Sequence, residues 1–193
     1  MRPDRTPEDR KRALEHVGYA VWMAAENARW LAVTPEPTNY PTLADRNAHA
    51  ESLAIHARSM SDFFRGKPDR RDICLADFGV DWTLEDAART KLDVWQEQAH
   101  KRVAHITWAR TQGAKPGWPE VDIARTLFDA VSSWHAALSA AGNIDTGEMR
   151  RLLAKAQAAL SAIPDRGAAG GPMSTTSSTM ATVMDVVDLH LGE

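Results

Sequence analysis

The sequence predicts an all-α protein, a five-helix up-down bundle with a flexible C-terminal tail. Three observations predict it. Apolar residues recur at three- and four-residue steps over five long segments, Pro- and Gly-containing breaks separate those segments, and helix start signals stand where the periodicity begins. A chain of 193 residues with 44% hydrophobic content is enough for one domain with a sizeable core. The expected division is a helical bundle domain over 1–164, a flexible linker over 165–179 and a C-terminal tail segment over 180–193.

Helix one begins at Thr6-Pro7-Glu8-Asp9, which combines an N-cap residue, a proline at the first helical position and acids in the first turn. Its stripe Leu14, Val17, Val21, Ala24, Ala28, Leu31 keeps alternating three-four spacing, suited to packing along a neighbouring helix at a shallow angle. Pro35, Pro37 and Pro41 make the next stretch a loop. Helix two is expected from Thr42, with Asp45 in the first turn, to about Phe64, on the stripe Ala50, Leu53, Ala57, Met60, Phe64. The connection from Arg65 to Trp82 is basic first and apolar second, and Ile73, Cys74, Leu75 and Phe78 are expected to tuck against the bundle.

The third helix is predicted over Thr83 to Gln112, the longest run without Pro or Gly. Thr83 is its expected N-cap and Asp86 the acceptor of a capping box. GAKPG (Gly113 to Gly117) ends it. Pro119 opens helix four, whose stripe is Ala124, Leu127, Val131, Trp134, Leu138 and Ala141, and Gly142-Asn143 closes it. Asp145 with Glu148 marks the start of helix five, which buries Met149, Leu152, Leu153, Ala156, Leu160 and Ile163 before Pro164. Beyond Asp165 the composition turns to Gly, Ser and Thr, as in a tether, and the last residues regain hydrophobicity. That tail has three possible destinations: the bundle itself, a sheet edge or a second subunit.

Charge and motifs narrow the function. A formal net charge of -3 leaves no global basic field for nucleic acid. The single Cys74 excludes an intramolecular disulfide, and the charged N-terminus lacks the apolar core of a signal peptide. No apolar run is long enough to span a bilayer. A cytoplasmic protein without a membrane partner is expected. Seven tryptophans against four Phe and two Tyr read as indoles filling space between helices, the alternative being a stacking surface.

Catalytic signatures are sparse. Glu97-Gln98-Ala99-His100 is the one Glu-x-x-His, whereas a di-iron bundle needs two. His49 and His56 lie two turns apart, about 10 Å along a helix axis, too far to share an ion easily. No nucleophile elbow or phosphate-binding glycine loop occurs. Neither a metal nor a cofactor is expected.

The remaining constellation joins helix two to helix three. Helix two carries Glu51, Arg58 and Asp62 along one flank and His49, His56 and Phe63 along the other. If the two helices are antiparallel neighbours, His56, Arg58 and Asp62 converge with Lys101, Arg102, His105 and Thr107. One reading is structural: histidines bonded across the helix interface, with Arg58 and Asp62 as an i,i+4 ion pair. The other is chemical: His56 or His105 as general acid and base, with Arg58 or Arg102 stabilising a pentavalent phosphate, the chemistry of metal-independent RNA cleavage.

The string Asn47-x3-Glu51-x4-His56-Ala57-Arg58-x3-Asp62-Phe63-Phe64, followed by Lys101-Arg102-x2-His105-Ile106-Thr107, resembles a group of uncharacterised bacterial all-helical proteins. The layout also resembles the HEPN superfamily of helical bundles, which includes RNase toxins and non-catalytic relatives. Catalytic members carry an Arg, four to six residues and then a His late in the bundle, and act as dimers. Here that spacing occurs only at Arg10 to His16, in the first helix, and Arg102 to His105 is shorter. The resemblance therefore implies the fold. The expectation is a binding or interaction protein, with a homodimer as possible partner, whose polar surface draws on Asn47, Glu51, Asp62, Lys101 and Thr107. The alternative is a HEPN-like ribonuclease with RNA as partner, using His56, Arg58, Arg102 and His105.

Overall fold

The computed structural model describes residues 5–34, 40–65, 72–99, 119–142 and 144–164. They form α1 (Pro7–Val33), α2 (Tyr40–Arg65), α3 (Asp86–Ala99), α4 (Glu120–Ala141) and α5 (Gly147–Ser161), with one 3-10 turn at Leu75–Phe78. Among the described residues there is no strand. The predicted linker 165–179, the tail 180–193, and Lys101, Arg102, His105 and Thr107 lie outside the described residues.

Contacts between helices set their directions. On α1 and α2, Asn27 meets Ser52 while Tyr19 meets His56, so the pair is antiparallel. Arg65 meets Asp93 and Asp62 meets Gln96, which makes α3 antiparallel to α2. Trp82 and Lys91 reach Ser133 and Asp122 in turn, so α4 runs against α3. Along α1 and α5, Lys11 pairs with Asp145 and Lys155 lies over Trp22, so these two run parallel. The topology is up-down throughout.

The termini follow their local chemistry. Thr6 Oγ1 accepts the Asp9 N–H at 3.1 Å and the Asp9 carboxylate accepts the Thr6 N–H at 3.1 Å, the predicted capping box. Every residue of the α1 stripe is buried. Helix α4 ends at Gly142, whose φ of 70° is a left-handed conformation that suits glycine. Gly18 has a different reason: a Cβ there would meet Leu152 at 3.1 and 3.2 Å, so its lack of a side chain lets α1 and α5 approach closely.

Several boundaries and burials differ from the sequence expectation. Helix α2 starts at Tyr40, two residues before Thr42, and takes Pro41 into its first turn, where no N–H is required. Helix α3 starts at Asp86, not after Thr83. Leu84 is buried and Trp82 leans on Phe64 with ring centroids 5.7 Å apart, donating its indole N–H to Ser133 Oγ at 3.1 Å. Packing these two side chains holds the backbone out of the helix, and the Arg89 N–H donates to the Glu85 carbonyl at 2.9 Å in α3's first turn. Cys74 and Phe78 are buried as expected, whereas Ile73 stays exposed and Ala141 faces solvent. All six apolar residues expected inside α5 and its exit are buried.

Trp134 on α4 is fully enclosed, with Phe63 and Phe78 edge-on at 5.1 and 5.0 Å. This aromatic cluster anchors α2 to α4 and positions the outer faces of α2.

Candidate functional site

Successive α-helical residues advance by about 100°, so His56 and Arg58 are separated by about 200° around α2. The structure turns that spacing into two different surroundings.

The histidine flank faces α1. Asn27 is buried, and its Nδ2 donates to the Met23 carbonyl at 2.6 Å and to Ser52 Oγ at 3.0 Å. Its Oδ1 lies 2.7 Å from His49 Nδ1, which assigns the proton to Nδ1 in the neutral ring. Trp30 stacks on that imidazole with centroids 4.1 Å apart and planes 20° from parallel. Burial pushes the His49 pKa down, against a smaller opposing pull from Asp45. One and two turns on, Ser52 and then His56 continue the row. His56 is half-buried and edge-on to Tyr19 at 6.0 Å, and desolvation lowers its pKa. Both imidazoles favour the neutral form.

The arginine flank faces α3 and is open. Arg58, Arg65, Asp93, Val94, Gln96 and Glu97 line a groove of about 520 Å³. Arg65 donates to Asp93 Oδ1 through Nε at 2.9 Å and Nη2 at 2.6 Å, and Gln96 Nε2 donates to Asp62. Ser61, buried between the two helices, donates to the carbonyls of Ala57 at 2.9 Å and Leu92 at 3.4 Å and so ties α2 to α3. Val94 and Ile55 are 52% and 58% exposed, the most exposed large apolar side chains described.

The expected constellation is thus divided. Helices α2 and α3 are antiparallel neighbours, as the reading of the site requires. His56 and Arg58, however, point to opposite sides and do not form one acid/base and guanidinium pair. The expected ion pair between Arg58 and Asp62 is replaced: Asp62 accepts from Gln96 of α3, and among the described residues Arg58 holds no ion pair. Asn47 is half-buried and Glu51 is exposed on α2. Lys101, Arg102, His105 and Thr107 lie outside the described residues.

Asn27, Trp30, Ser52, Gln96 and Val94 were not indicated by motif. Asn27 carries a weak signal, an amide beside Ala28 of the apolar stripe and one turn from both Ala24 and Leu31. A third polar group joins α4 to α5, where Ser139 Oγ lies 3.5 Å from His135 Nε2 and 3.2 Å from Thr146 Oγ1. Burial also lowers the His135 pKa, opposed by a hydrogen bond with the Thr146 backbone. Among the described residues no three His, Cys, Asp or Glu side chains gather to hold a metal ion, and no helix is long and apolar enough to cross a membrane. Comparison with protein-family models, curated proteins and solved structures returned no match to any of them.

Proposed function

We propose that this chain is a binding module acting in the cytoplasm through the shoulder between α2 and α3, without a cofactor. The observation that carries this reading is the open groove, where the Arg65–Asp93 pair, Arg58 and Glu97 stand beside exposed Val94. Such a mixture is that of an interface rim around a small apolar contact. The histidine flank, by contrast, spends its polar groups within the protein.

A photo-crosslinking residue placed at Val94, and separately at Tyr19 on the other flank, tests the assignment in cells making the protein. The expected result is a discrete adduct from position 94 and none from position 19. Equal adducts from both, or none from position 94, would overturn it.

A HEPN-like, metal-independent ribonuclease is the second reading, with half-buried His56, edge-on to Tyr19, as its candidate acid or base. Incubation of total RNA with the protein in EDTA, alongside His56→Ala and His105→Ala, decides it. Cleavage that disappears in either variant would establish an enzyme; RNA left intact by the unmodified protein removes this reading.

A further inference from the structure

Resting on the shoulder as a binding surface, we propose that segment 180–193 of this chain docks into the α2–α3 groove, an acid against Arg58, and competes there with the partner. The groove presents one uncommitted charge. Arg65 is paired with Asp93 at 2.6 Å, Gln96 donates to Asp62, and Glu97 is engaged as well. Arg58 is half-buried beside them and, among the described residues, has no bonded partner. A guanidinium held part-way out of water gains most from a carboxylate, which it grips through two N–H groups. Exposed apolar side chains stand on either side of it. The Arg65–Asp93 contact puts Val94 of α3 level with position 64 of α2, about 9 Å along from Arg58, and Ile55 lies about 4.5 Å the other way at the rise of an α-helix.

Segment 180–193 has the complementary order. Asp185 and Asp188 stand between Val183 on one side and Leu189 and Leu191 on the other, and the segment contains no Lys or Arg. Of the three destinations its sequence leaves for it, a sheet edge has no counterpart among the described residues, which contain no strand. A second subunit must be met from solution, whereas a tethered segment is present at an effective concentration of about millimolar. The tether is long enough. Lys11 pairs with Asp145, Lys155 lies over Trp22 and Tyr19 meets His56, so the end of α5 stands about 16 Å along the bundle from Arg58. Crossing from α5 over α1 to α2 adds about 20 Å at the usual spacing of packed helices. A flexible chain the length of 165–179 spans about 20–25 Å on average and about 50 Å at full stretch.

Charge reversal tests the contact in the purified 193-residue chain carrying the photo-crosslinking residue at Val94. Irradiated at high dilution, it is expected to form a link to a residue within 180–193 at the mass of a single chain, located by mass spectrometry. Arg58→Glu, or Asp185→Arg with Asp188→Arg, lowers the yield of that link several-fold. The three changes together restore it, because the pair is re-formed with its signs exchanged. Circular dichroism of each variant confirms that it is folded. In cells, removing residues 180–193 raises the yield of the partner adduct from position 94. No internal link, a link whose yield ignores these charges, or one found only between two chains overturns the proposal. The binding reading falls separately: a partner adduct from position 94 that is unchanged by removing 180–193 would retain it while excluding this segment as the competitor.

Discussion

The two flanks of α2 use similar residue types to opposite ends. Toward α1, Asn27, His49 and Ser52 form hydrogen bonds that stay within the protein, capped by Trp30. Toward α3, Arg58 lines an open groove while its neighbours Arg65 and Asp62 bond across to Asp93 and Gln96. Buried polar groups cost much when their partners are removed, whereas exposed ion pairs contribute little. The comparison teaches that a histidine row can be architecture and a plain surface arginine the better nominee for function.

Removing Asn27 should break the closed flank most severely. Asn27→Ala leaves the His49 N–H and the Ser52 hydroxyl short of a partner, and a loss of about 2–3 kcal/mol in urea unfolding is expected. A double-mutant cycle with His49→Leu should return a coupling of about 1–2 kcal/mol.

Acid is the next largest perturbation. Because burial lowers the folded-state pKa of His49 and His56, the fold favours their neutral rings. That contribution is complete above the unfolded imidazole value of about 6.5 and is lost as pH falls through the lower folded values. Thermal midpoints should therefore fall from about pH 7.5 to about pH 5.5, and His49→Gln with His56→Gln should flatten the slope. His135, lowered by the same cause, leaves a residual slope.

On the open flank the stability effects shrink. Arg65→Ala loses an exposed pair to Asp93 and should cost less than about 1 kcal/mol, the loss diminishing in high salt. Arg58→Ala should change unfolding by no more than about 0.5 kcal/mol, as for a surface site with no bonded partner, while reducing the adduct from position 94.

Much of this fold was legible because helices announce themselves through spacing and caps. Thr6-Pro7 and Gly142 mark real ends, and the α1 stripe is buried to its last member. The start of α3 was not legible from Thr83, since tertiary packing of Trp82 and Leu84 overrides a favourable local cap. Ile123, fully buried, lies beside the expected α4 stripe because that face is broader than one row. At the candidate site, spacing already separates His56 from Arg58 around the helix, while chemical type groups them; packing follows the spacing. Asn27 escaped because apolar periodicity does not register a side chain that joins a core through hydrogen bonds.

The most direct measurement compares Asn27→Ala with Arg58→Glu for unfolding midpoint and for adduct yield from position 94. The account predicts that Asn27→Ala lowers the midpoint while folded protein retains its adduct, and that Arg58→Glu keeps the midpoint and loses the adduct. An Arg58→Glu protein as destabilised as Asn27→Ala, or one that still forms the full adduct, would contradict the assignment of structure to one flank and binding to the other.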